Sequence, residues 1–379
     1  MKNSATPDVA GLYIHIPFCR ARCGYCDFYS VTSLFRIPDF LAALMKEMDM
    51  YSRKFSIFDT VYIGGGTPSL LGVQQLGDIF QKIKNIFVLP PNTEITIEAN
   101  PADLDISFLK ALRDMDVSRL NIGIQSFDRQ ILAFLERRHT ADQAVYAIET
   151  ARSAGFDNIG LDLIYGVPRQ DMASWLDTLS MAVSFHPEHL SCYQLTLDAD
   201  TSLGIRRQKG DFSLPGDDLQ YDFFMKTAGI LKDAGYIHYE VSNFAGGAKF
   251  CSRHNQKYWN HTPCLGLGPG AHSFLKGQRW WNYGSLEKYI AEIEAGKQPV
   301  QAMESLTMEQ LQLEALCLGL RTKKGINFSQ FAERYNYDLA VQKENVLKRL
   351  QDEGLVAIRN GCLRPTLSGL AIADSLSLI

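Results

Sequence analysis

Residues 13 to 28 read YIHIPFCRARCGYCDF, and this stretch decides the fold. An apolar run typical of a buried strand leads directly into a loop that carries Cys19, Cys23 and Cys26. A structural zinc site and a fully ligated iron–sulfur cubane both normally take four protein ligands. Three thiolates without an evident fourth predict a metal centre with one open position. A zinc site completed by a distant histidine stays open as an alternative.

A strand-then-helix rhythm extends from this stretch to about residue 200. Such alternation predicts parallel β/α units, and six units predict an α/β fold of the partial (β/α)6 barrel type. The predicted strands cover 12–16, 61–64, 94–98, 119–123, 159–163 and 190–195, and the predicted helices cover 39–53, 69–86, 106–115, 128–135, 140–154 and 172–185.

Chemically distinctive residues follow the predicted strands. In parallel β/α folds the ligands bind at the carboxyl ends of the strands, so these residues are expected to share one site. They are Cys19, the run Gly64-Gly65-Gly66-Thr67-Pro68, Glu98, Gln125 and Asp162. Consecutive glycines leave room for a ligand and can direct backbone N–H groups at a carboxylate.

The remaining chain changes character twice. A loop is predicted over 201–218, a helix over 219–234 and a strand over 239–244, before a stretch rich in glycine and aromatic residues. Helices over 308–320, 328–335 and 339–353 precede two apolar strands joined by Asn360-Gly361, an arrangement that resembles a winged helix. Mixed acidic and basic residues there favour a packing or lid role over DNA binding. The predicted domains are 1–200, 201–300 and 301–379.

Composition narrows the functional classes. Apolar residues make up 46% of the 379 residues and charged residues 21%, which is typical of a globular protein with a large core. A net charge of −4 offers no basic field for nucleic acid. Neither a signal peptide nor a membrane-spanning apolar run is evident, so a cytoplasmic protein is expected. The five scattered cysteines are interpreted as small buried hydrophobes.

The run from Tyr13 to Cys19, with Cys23 and Cys26, resembles the signature of the radical S-adenosylmethionine superfamily. The surrounding sequence is similar to the subgroup of oxygen-independent coproporphyrinogen III oxidases and HemW-type heme chaperones. The resemblance implies a [4Fe–4S] cluster on the three cysteines and S-adenosylmethionine on the fourth iron. It also implies that one electron from the cluster cleaves the sulfonium to a 5′-deoxyadenosyl radical.

The same resemblance implies a set of contacts to S-adenosylmethionine. Glu98 matches the position that accepts hydrogen bonds from the ribose hydroxyls, and Tyr25 matches a backbone contact. In the oxidases the last four of the following positions serve a second molecule of the cofactor. The implied contacts are Tyr13, Tyr25, Gly65, Gly66, Thr67, Glu98, Gln125, Arg137, Asp162 and Thr196.

Three features separate the two members of the subgroup. The oxidase motif has a fourth cysteine where this sequence has Phe28, and the oxidase carries a longer N-terminal extension than the 12 residues before Tyr13. His254-Asn-Gln-Lys-Tyr258-Trp259 matches the H-N-x-x-Y-W motif of the chaperones. We therefore expect a heme chaperone without coproporphyrinogen oxidase activity, with the oxidase of porphyrin biosynthesis as the alternative.

His254, Tyr258 and Trp259 are the predicted heme contacts, because imidazole ligates iron and aromatic rings stack on porphyrins. The alternative is that the motif has only a structural role, in which the histidine is hydrogen-bonded and the aromatic rings pack in the core. Other candidates for the iron ligand are Cys251, Tyr258, His261 and His272. The resemblance further implies unidentified heme-acceptor proteins, a reductant for the cluster, peripheral membrane contact through acceptors, and a homodimer.

Overall fold

The computed structural model describes residues 9–376, which form two compact units built from alternating segments of the chain. The first unit contains residues 9–160, 196–211 and 262–305. The second contains residues 161–195, 212–261 and 306–376. The predicted three-part division at residues 200 and 300 stays a prediction.

The strands of the described chain, numbered in chain order, are β1 (Ala10–Ile16), β2 (Phe58–Gly65), β3 (Glu94–Ala99), β4 (Arg119–Gln125), β5 (Ile159–Tyr165), β6 (His189–Gln194), β7 (Ile237–His238), β8 (Asn243–Ala245), β9 (Cys264–Leu267), β10 (His272–Leu275), β11 (Gln278–Asn282), β12 (Val300–Ser305), β13 (Ile326–Asn327), β14 (Val356–Arg359) and β15 (Cys362–Pro365).

The helices are α1 (Ile37–Tyr51), α2 (Val73–Ile86), α3 (Ile106–Asp114), α4 (Arg129–Phe134), α5 (Ala141–Ser153), α6 (Met172–Ser184), α7 (Ser202–Gln208), α8 (Asp217–Asp233), α9 (Arg253–Trp259), α10 (Leu286–Glu294), α11 (Met308–Leu320), α12 (Phe328–Tyr335), α13 (Leu339–Gln342), α14 (Glu344–Asp352), α15 (Leu367–Ala371) and α16 (Ala373–Leu376). Short 3-10 turns occur at Leu34–Arg36, Pro68–Leu70, Pro101–Asp103 and Ala248–Phe250.

The first unit is organised around a mainly parallel sheet. Its strand order is β12-β11-β10-β9-β1-β2-β3-β4, with β1 to β4 parallel and β9 parallel to β1. Strands β10 to β12 add an antiparallel meander. Strand β1 is buried along nearly its whole length, as expected for a parallel strand covered on both faces. On α1 the buried residues Phe40, Leu44 and Met48 form the apolar stripe that contributes to this core.

The second unit contains the strand order β5-β6-β8-β7 and a separate three-stranded sheet, β13-β15-β14. The chain passes from the first unit to the second within β5. In the small sheet Asn360 and Gly361 have φ values of 53° and 69°, so they form the tight turn that the Asn-Gly pair predicts. Leu316, Phe331 and Leu350 on α11, α12 and α14 pack with this sheet into one apolar cluster.

The predicted α/β fold class, with β/α units and a winged-helix-like C-terminal region, is confirmed. The six predicted strands and six predicted helices of the β/α region are all present within a few residues of their expected bounds. Within residues 9–376, every helix is too short or too polar to cross a membrane.

Three local predictions were wrong. The predicted loop at 201–218 contains α7, because Thr201 caps the helix by accepting a hydrogen bond from the Gly204 N–H at 3.0 Å. The predicted strand at 239–244 is instead the connection between β7 and β8 together with the start of β8. The predicted helix at 339–353 divides into α13 and α14, because Lys343 leaves the helical region at φ −121° and ψ 19°.

Candidate functional site

The cysteine loop follows β1 and is held by backbone hydrogen bonds within the first unit. Cys19 N–H donates to Val31 O at 3.0 Å, and Thr67 N–H donates to Phe18 O at 2.8 Å. In the middle of the loop, Leu203 N–H donates to Gly24 O at 2.8 Å. Helix α7, which the sequence did not predict, therefore supports the loop at its centre. Anchors at the start and the centre fix where the three thiols lie.

The three thiols are free, half-buried and placed beside polar partners. Cys19 Sγ lies 3.4 Å from Thr67 Oγ1, and Arg137 Nη1 donates to Cys23 Sγ at 3.4 Å. Burial raises the pKa of Cys26 to about 11, a backbone hydrogen bond from Phe28 opposes the rise, and the nearby Cys23 and Cys19 add to it. The thiols therefore lie close enough to influence one another electrostatically.

The three thiols lie on one loop, and a cubane takes each thiolate at a different corner. Among residues 9–376 no group of three or more His, Cys, Asp or Glu side chains is arranged to hold a single metal ion. Thiols bind metal as thiolates, and the raised pKa of Cys26 means that metal binding there would release a proton.

The glycine run at the end of β2 fits against the end of β1. Gly65 has a φ of 104°, and a Cβ at this position would lie 2.5 Å from His15 Nδ1. A Cβ on Gly66 would lie 2.7 Å from the carbonyl oxygen of Phe18. Both glycines are therefore required by close backbone approach, and they bring β2 directly against the start of the cysteine loop.

Glu98 is fixed at the end of β3 by two donors from β2. Tyr62 Oη donates to Glu98 Oε1 at 2.7 Å, and Gly65 N–H donates to Oε2 at 3.1 Å. Burial, and secondly the charge of Glu98, raise the pKa of Tyr13. Gly65 and Glu98 therefore meet at the carboxyl ends of β2 and β3, and Tyr13, in the middle of β1, lies close enough to Glu98 to feel its charge.

Tyr13 and His15 form a hydrogen-bonded pair next to Gly65. His15 Nε2 lies 2.9 Å from the carbonyl oxygen of Tyr29 and must donate to it, so Nδ1 is the acceptor for Tyr13 Oη at 3.1 Å. Burial lowers the pKa of His15, and the hydrogen bond to Tyr29 opposes this. A neutral imidazole with both nitrogens engaged is the result.

Arg137 links the cysteine loop to the end of β4. Its Nη2 donates to Gly123 O at 2.8 Å, while Nη1 reaches Cys23. Burial works to lower the pKa of Arg137, but Tyr25 and Cys23 outweigh it and the pKa is raised. Gln125 ends β4 with an unusual φ of 65°, and a Cβ on Gly123 would lie 2.9 Å from its Nε2. Arg137 and Gln125, both predicted cofactor contacts, therefore lie next to each other beside Gly123.

The two remaining predicted contacts, Asp162 and Thr196, belong to different units. Asp162 lies on β5 in the second unit, close enough to Cys192 for its charge to reinforce the rise that burial causes in the pKa of that thiol. Thr196 lies in the first unit as an exposed residue after β6. Their role toward the cofactor stays a prediction.

Sequence reasoning missed two residues of this site, Tyr62 and His15. Tyr62 is two residues before Gly64 on β2 and therefore shares its face, since side chains of a strand alternate. His15 stands in the same relation to Tyr13 on β1. Applying the two-residue period to the predicted strands would have identified both.

The aromatic motif lies on α9 in the second unit. His254 is 1% exposed, and its Nε2 lies 2.9 Å from Tyr258 Oη one turn later, whereas Tyr258 is 38% exposed. The indole Nε1 of Trp259 is buried and has no hydrogen-bond partner among residues 9–376. The histidine is thus hydrogen-bonded, as a structural role of the motif predicts, and the tyrosine is exposed to solvent.

Both ends of α9 are fixed. At its start, Ser252 N–H donates to Tyr239 Oη at 3.3 Å, and that hydroxyl lies 2.7 Å from His189 Nε2. At its end, Arg334 of α12 donates to Asn260 O at 2.9 Å and to His261 O at 3.0 Å. The C-terminal helices therefore position the motif.

The other candidate iron ligands differ in their surroundings. His261 is 7% exposed, with Nδ1 3.0 Å from Tyr335 Oη and Nε2 3.4 Å from Glu314 Oε2. His272 is exposed in the first unit and stacks on Trp281 at a centroid distance of 5.6 Å. His261 therefore contacts side chains of two C-terminal helices, Tyr335 of α12 and Glu314 of α11.

Comparison with known proteins agrees with this architecture. The Radical SAM superfamily matches residues 13–182, and the HemN C-terminal domain matches residues 306–372. "Heme chaperone HemW" of Mycobacterium tuberculosis (strain H37Rv) is 35% identical over 96% of this chain and 93% of that protein. "Heme chaperone HemW" of Bacillus subtilis (strain 168) is 35% identical over 91% of this chain and 92% of that protein.

Among solved structures, coproporphyrinogen III oxidase (HemN) from Escherichia coli, described as a radical SAM enzyme, superimposes with a TM-score of 0.86. It covers 98% of this chain and 90% of its own, at 22% identity, so this likeness shows the shared fold. The fold and the cysteine loop define a member of the radical S-adenosylmethionine superfamily. Within it, the chain belongs to the HemW-type family. Membership of the superfamily implies a [4Fe–4S] cluster and S-adenosylmethionine.

Proposed function

We propose that this protein is a heme chaperone that binds heme and transfers it to acceptor proteins. The observation that carries the proposal is the full-length similarity, at 35% identity, to proteins named heme chaperones. The aromatic motif on α9 supports it, because an exposed tyrosine and a tryptophan beside a histidine suit a porphyrin. Phe28 supports it too, since its side chain is 61% exposed where the oxidases have a fourth cysteine.

Cys19, Cys23 and Cys26 would hold the [4Fe–4S] cluster, and Arg137 would stabilise the thiolate of Cys23 through its 3.4 Å contact. When bound, the cluster supplies an open iron for S-adenosylmethionine and a low-potential electron. Glu98, already fixed by Tyr62 and Gly65, would accept hydroxyl hydrogen bonds with its remaining lone pairs. Gly65 and Gly66 would contact the methionine group where the end of β2 meets the start of the cysteine loop. The outer contacts proposed are Tyr13, Tyr25, Thr67, Gln125, Arg137, Asp162 and Thr196.

His254 is the proposed heme ligand. Its Nε2 faces Tyr258 Oη, so iron binding requires that hydrogen bond to open. Tyr258 is exposed, and water can replace the lost partner at small cost. Tyr258 and Trp259 would then contact the porphyrin face.

The proposal includes partners of three kinds: an acceptor for heme, a reductant for the cluster, and a second copy of the chain. Peripheral membrane contact would come only through acceptors. The cytoplasm is the proposed compartment, because all eight cysteines are free and the cluster loop needs reduced thiols.

The alternative is an oxygen-independent coproporphyrinogen III oxidase, an enzyme whose fold this chain shares. One experiment separates the two functions. The full chain is reconstituted anaerobically with iron and sulfide, then divided between a heme titration and a coproporphyrinogen III turnover assay with reductant and S-adenosylmethionine. Stoichiometric heme binding without turnover is expected. Sustained formation of protoporphyrinogen would overturn the chaperone function.

Two variants test the residue assignments. Cys23→Ala is expected to lose the visible absorbance of the reconstituted cluster, whereas Cys317→Ala, a half-buried cysteine outside the loop, should keep it.

His254→Ala should keep the cluster and weaken heme binding roughly tenfold or more. His186→Ala, an exposed histidine of the same unit, is its control. Normal heme binding by His254→Ala would transfer the ligand role to another residue.

A further inference from the structure

A basic turn follows α11 and is fixed beside the segment that supports α9. Val241 N–H donates to Arg321 O at 3.1 Å, and Lys323 N–H donates to Tyr239 O at 3.1 Å. Glu240 and Thr322 form the antiparallel bridge between these two bonds. Because Tyr239 also accepts from Ser252 at the start of α9, the turn and the aromatic motif share one rigid support.

Arg321 is in direct contact with the motif. Its guanidinium carbon lies 5.5 Å from the ring centroid of Trp259, within the range of a cation–π interaction. The side chain of Arg321 is 29% exposed, and its ion-pair partner Asp374 is 90% exposed. An ion pair with so exposed a carboxylate is weak and easily exchanged for another anion. Buried Glu240 is the second acid near Arg321.

Two lysines add positive charge that no acid offsets. Lys323 and Lys232, at the end of α8, form no ion pair or side-chain hydrogen bond among residues 9–376. Partial burial, and secondly the charge of Lys232, lower the pKa of Lys323. Like charges held together without a counter-charge are unfavourable, and an anionic ligand would relieve the repulsion.

We propose that Arg321, Lys323 and Lys232 form a carboxylate subsite that binds the propionate groups of heme while Trp259 contacts the porphyrin. The inference rests on the proposed heme binding by α9. Heme carries two propionates on one edge, and Arg321 against the ring-binding tryptophan, with Lys323 two residues further along the same turn, matches that charge distribution. The subsite would select porphyrins that carry free carboxylates over esterified or uncharged ones.

The test compares hemin with hemin dimethyl ester, which has the same ring and iron but no carboxylates. Both are titrated into the reconstituted full chain and into Lys323→Gln and Arg321→Gln. Lys348→Gln, an exposed lysine on α14, is the matched control for charge. Lys323→Gln is the primary variant because the Lys323 side chain makes no hydrogen bond or ion pair among residues 9–376, so the variant should fold.

Wild type is expected to prefer hemin by roughly tenfold or more, as loss of charge-assisted contacts predicts. Lys323→Gln should reduce this preference about three- to tenfold while leaving ester binding unchanged, and Arg321→Gln should reduce the preference by a similar factor. Equal affinity of wild type for both porphyrins would overturn the subsite and leave heme binding intact. Failure to bind either porphyrin would overturn both the proposed function and the subsite.

Discussion

At the scale of single residues, the site depends on positions where a side chain would not fit. Gly65 combines a φ of 104° with a Cβ position 2.5 Å from the imidazole of His15. His15 in turn has both ring nitrogens engaged, by Tyr13 and by the carbonyl oxygen of Tyr29. The ring therefore has little freedom to move aside, and the glycine holds two strand ends together.

Gly65→Ala is expected to lower the free energy of unfolding by about 3 kcal/mol or more, because steric overlap adds to backbone strain. Gly155→Ala is the control: its φ is 88° but no atom lies within 4 Å of the added Cβ. It should cost about 1 kcal/mol, from backbone strain alone. Urea unfolding of both variants provides the measurement. If both variants lose the same free energy of unfolding, the His15 side chain moves aside at little cost.

Much of this residue-scale site could be predicted from sequence. The three cysteines, the glycine run and Glu98 were placed at neighbouring strand ends, because strand periodicity and the rule of carboxyl-end sites are local information. The partners Tyr62 and Arg137 were not predicted to bond Glu98 and Cys23. Those bonds depend on strand register and side-chain conformation across a separation of 36 and 114 residues.

At the scale of elements, the short helix α9 depends on its neighbours. A helix of seven residues is too short to be stable alone. Tyr239 and Ser252 fix its first turn, and Arg334 satisfies carbonyl groups just beyond its last turn. The winged-helix-like region therefore has a structural role toward the proposed heme-binding helix, in agreement with the packing role that its mixed charges predicted.

Arg334→Gln is expected to loosen the end of α9, since two hydrogen bonds from a cation are lost. Amide exchange over residues 257–261 should quicken about fivefold, corresponding to about 1 kcal/mol. Heme affinity should fall by a similar factor. Arg349→Gln on α14 removes only a 4.0 Å contact to Glu353 and should change neither quantity. Unchanged exchange in Arg334→Gln would show that α9 is held by other contacts.

At the scale of the whole molecule, the first unit is tied together by a buried carboxyl group. Glu47 of α1 is 0% exposed and accepts hydrogen bonds from Gly268 N at 2.8 Å, Asn282 Nδ2 at 2.6 Å and Tyr289 Oη at 2.7 Å. These donors come from the end of β9, from β11 and from α10. Burial raises the pKa of Glu47 to about 7, although the three hydrogen bonds oppose the rise.

Because the pKa of Glu47 is raised, the free energy of unfolding should decrease with increasing pH. Between the ordinary glutamate value of about 4.5 and about 7, the folded chain holds a proton that the unfolded chain has lost. The free energy of unfolding should therefore fall as the pH rises through this window, by up to about 3 kcal/mol from this group. Glu47→Gln should remove that slope, as measured by urea unfolding from pH 5 to pH 8. A slope that persists unchanged in Glu47→Gln would contradict the assignment.

The sequence by itself determined the β/α rhythm, the cysteine loop and the Asn-Gly turn, because each is encoded by residues within a few positions of one another. Tertiary structure alone decided which distant groups meet: Glu47 with Asn282 across 235 residues, Arg137 with Cys23, and Arg321 with Trp259. The physical reason is that a side chain's partner depends on how elements pack, and shifting a strand by one residue reverses every face. Periodicity indicates that an element has a buried face, and only the packed fold shows what that face meets.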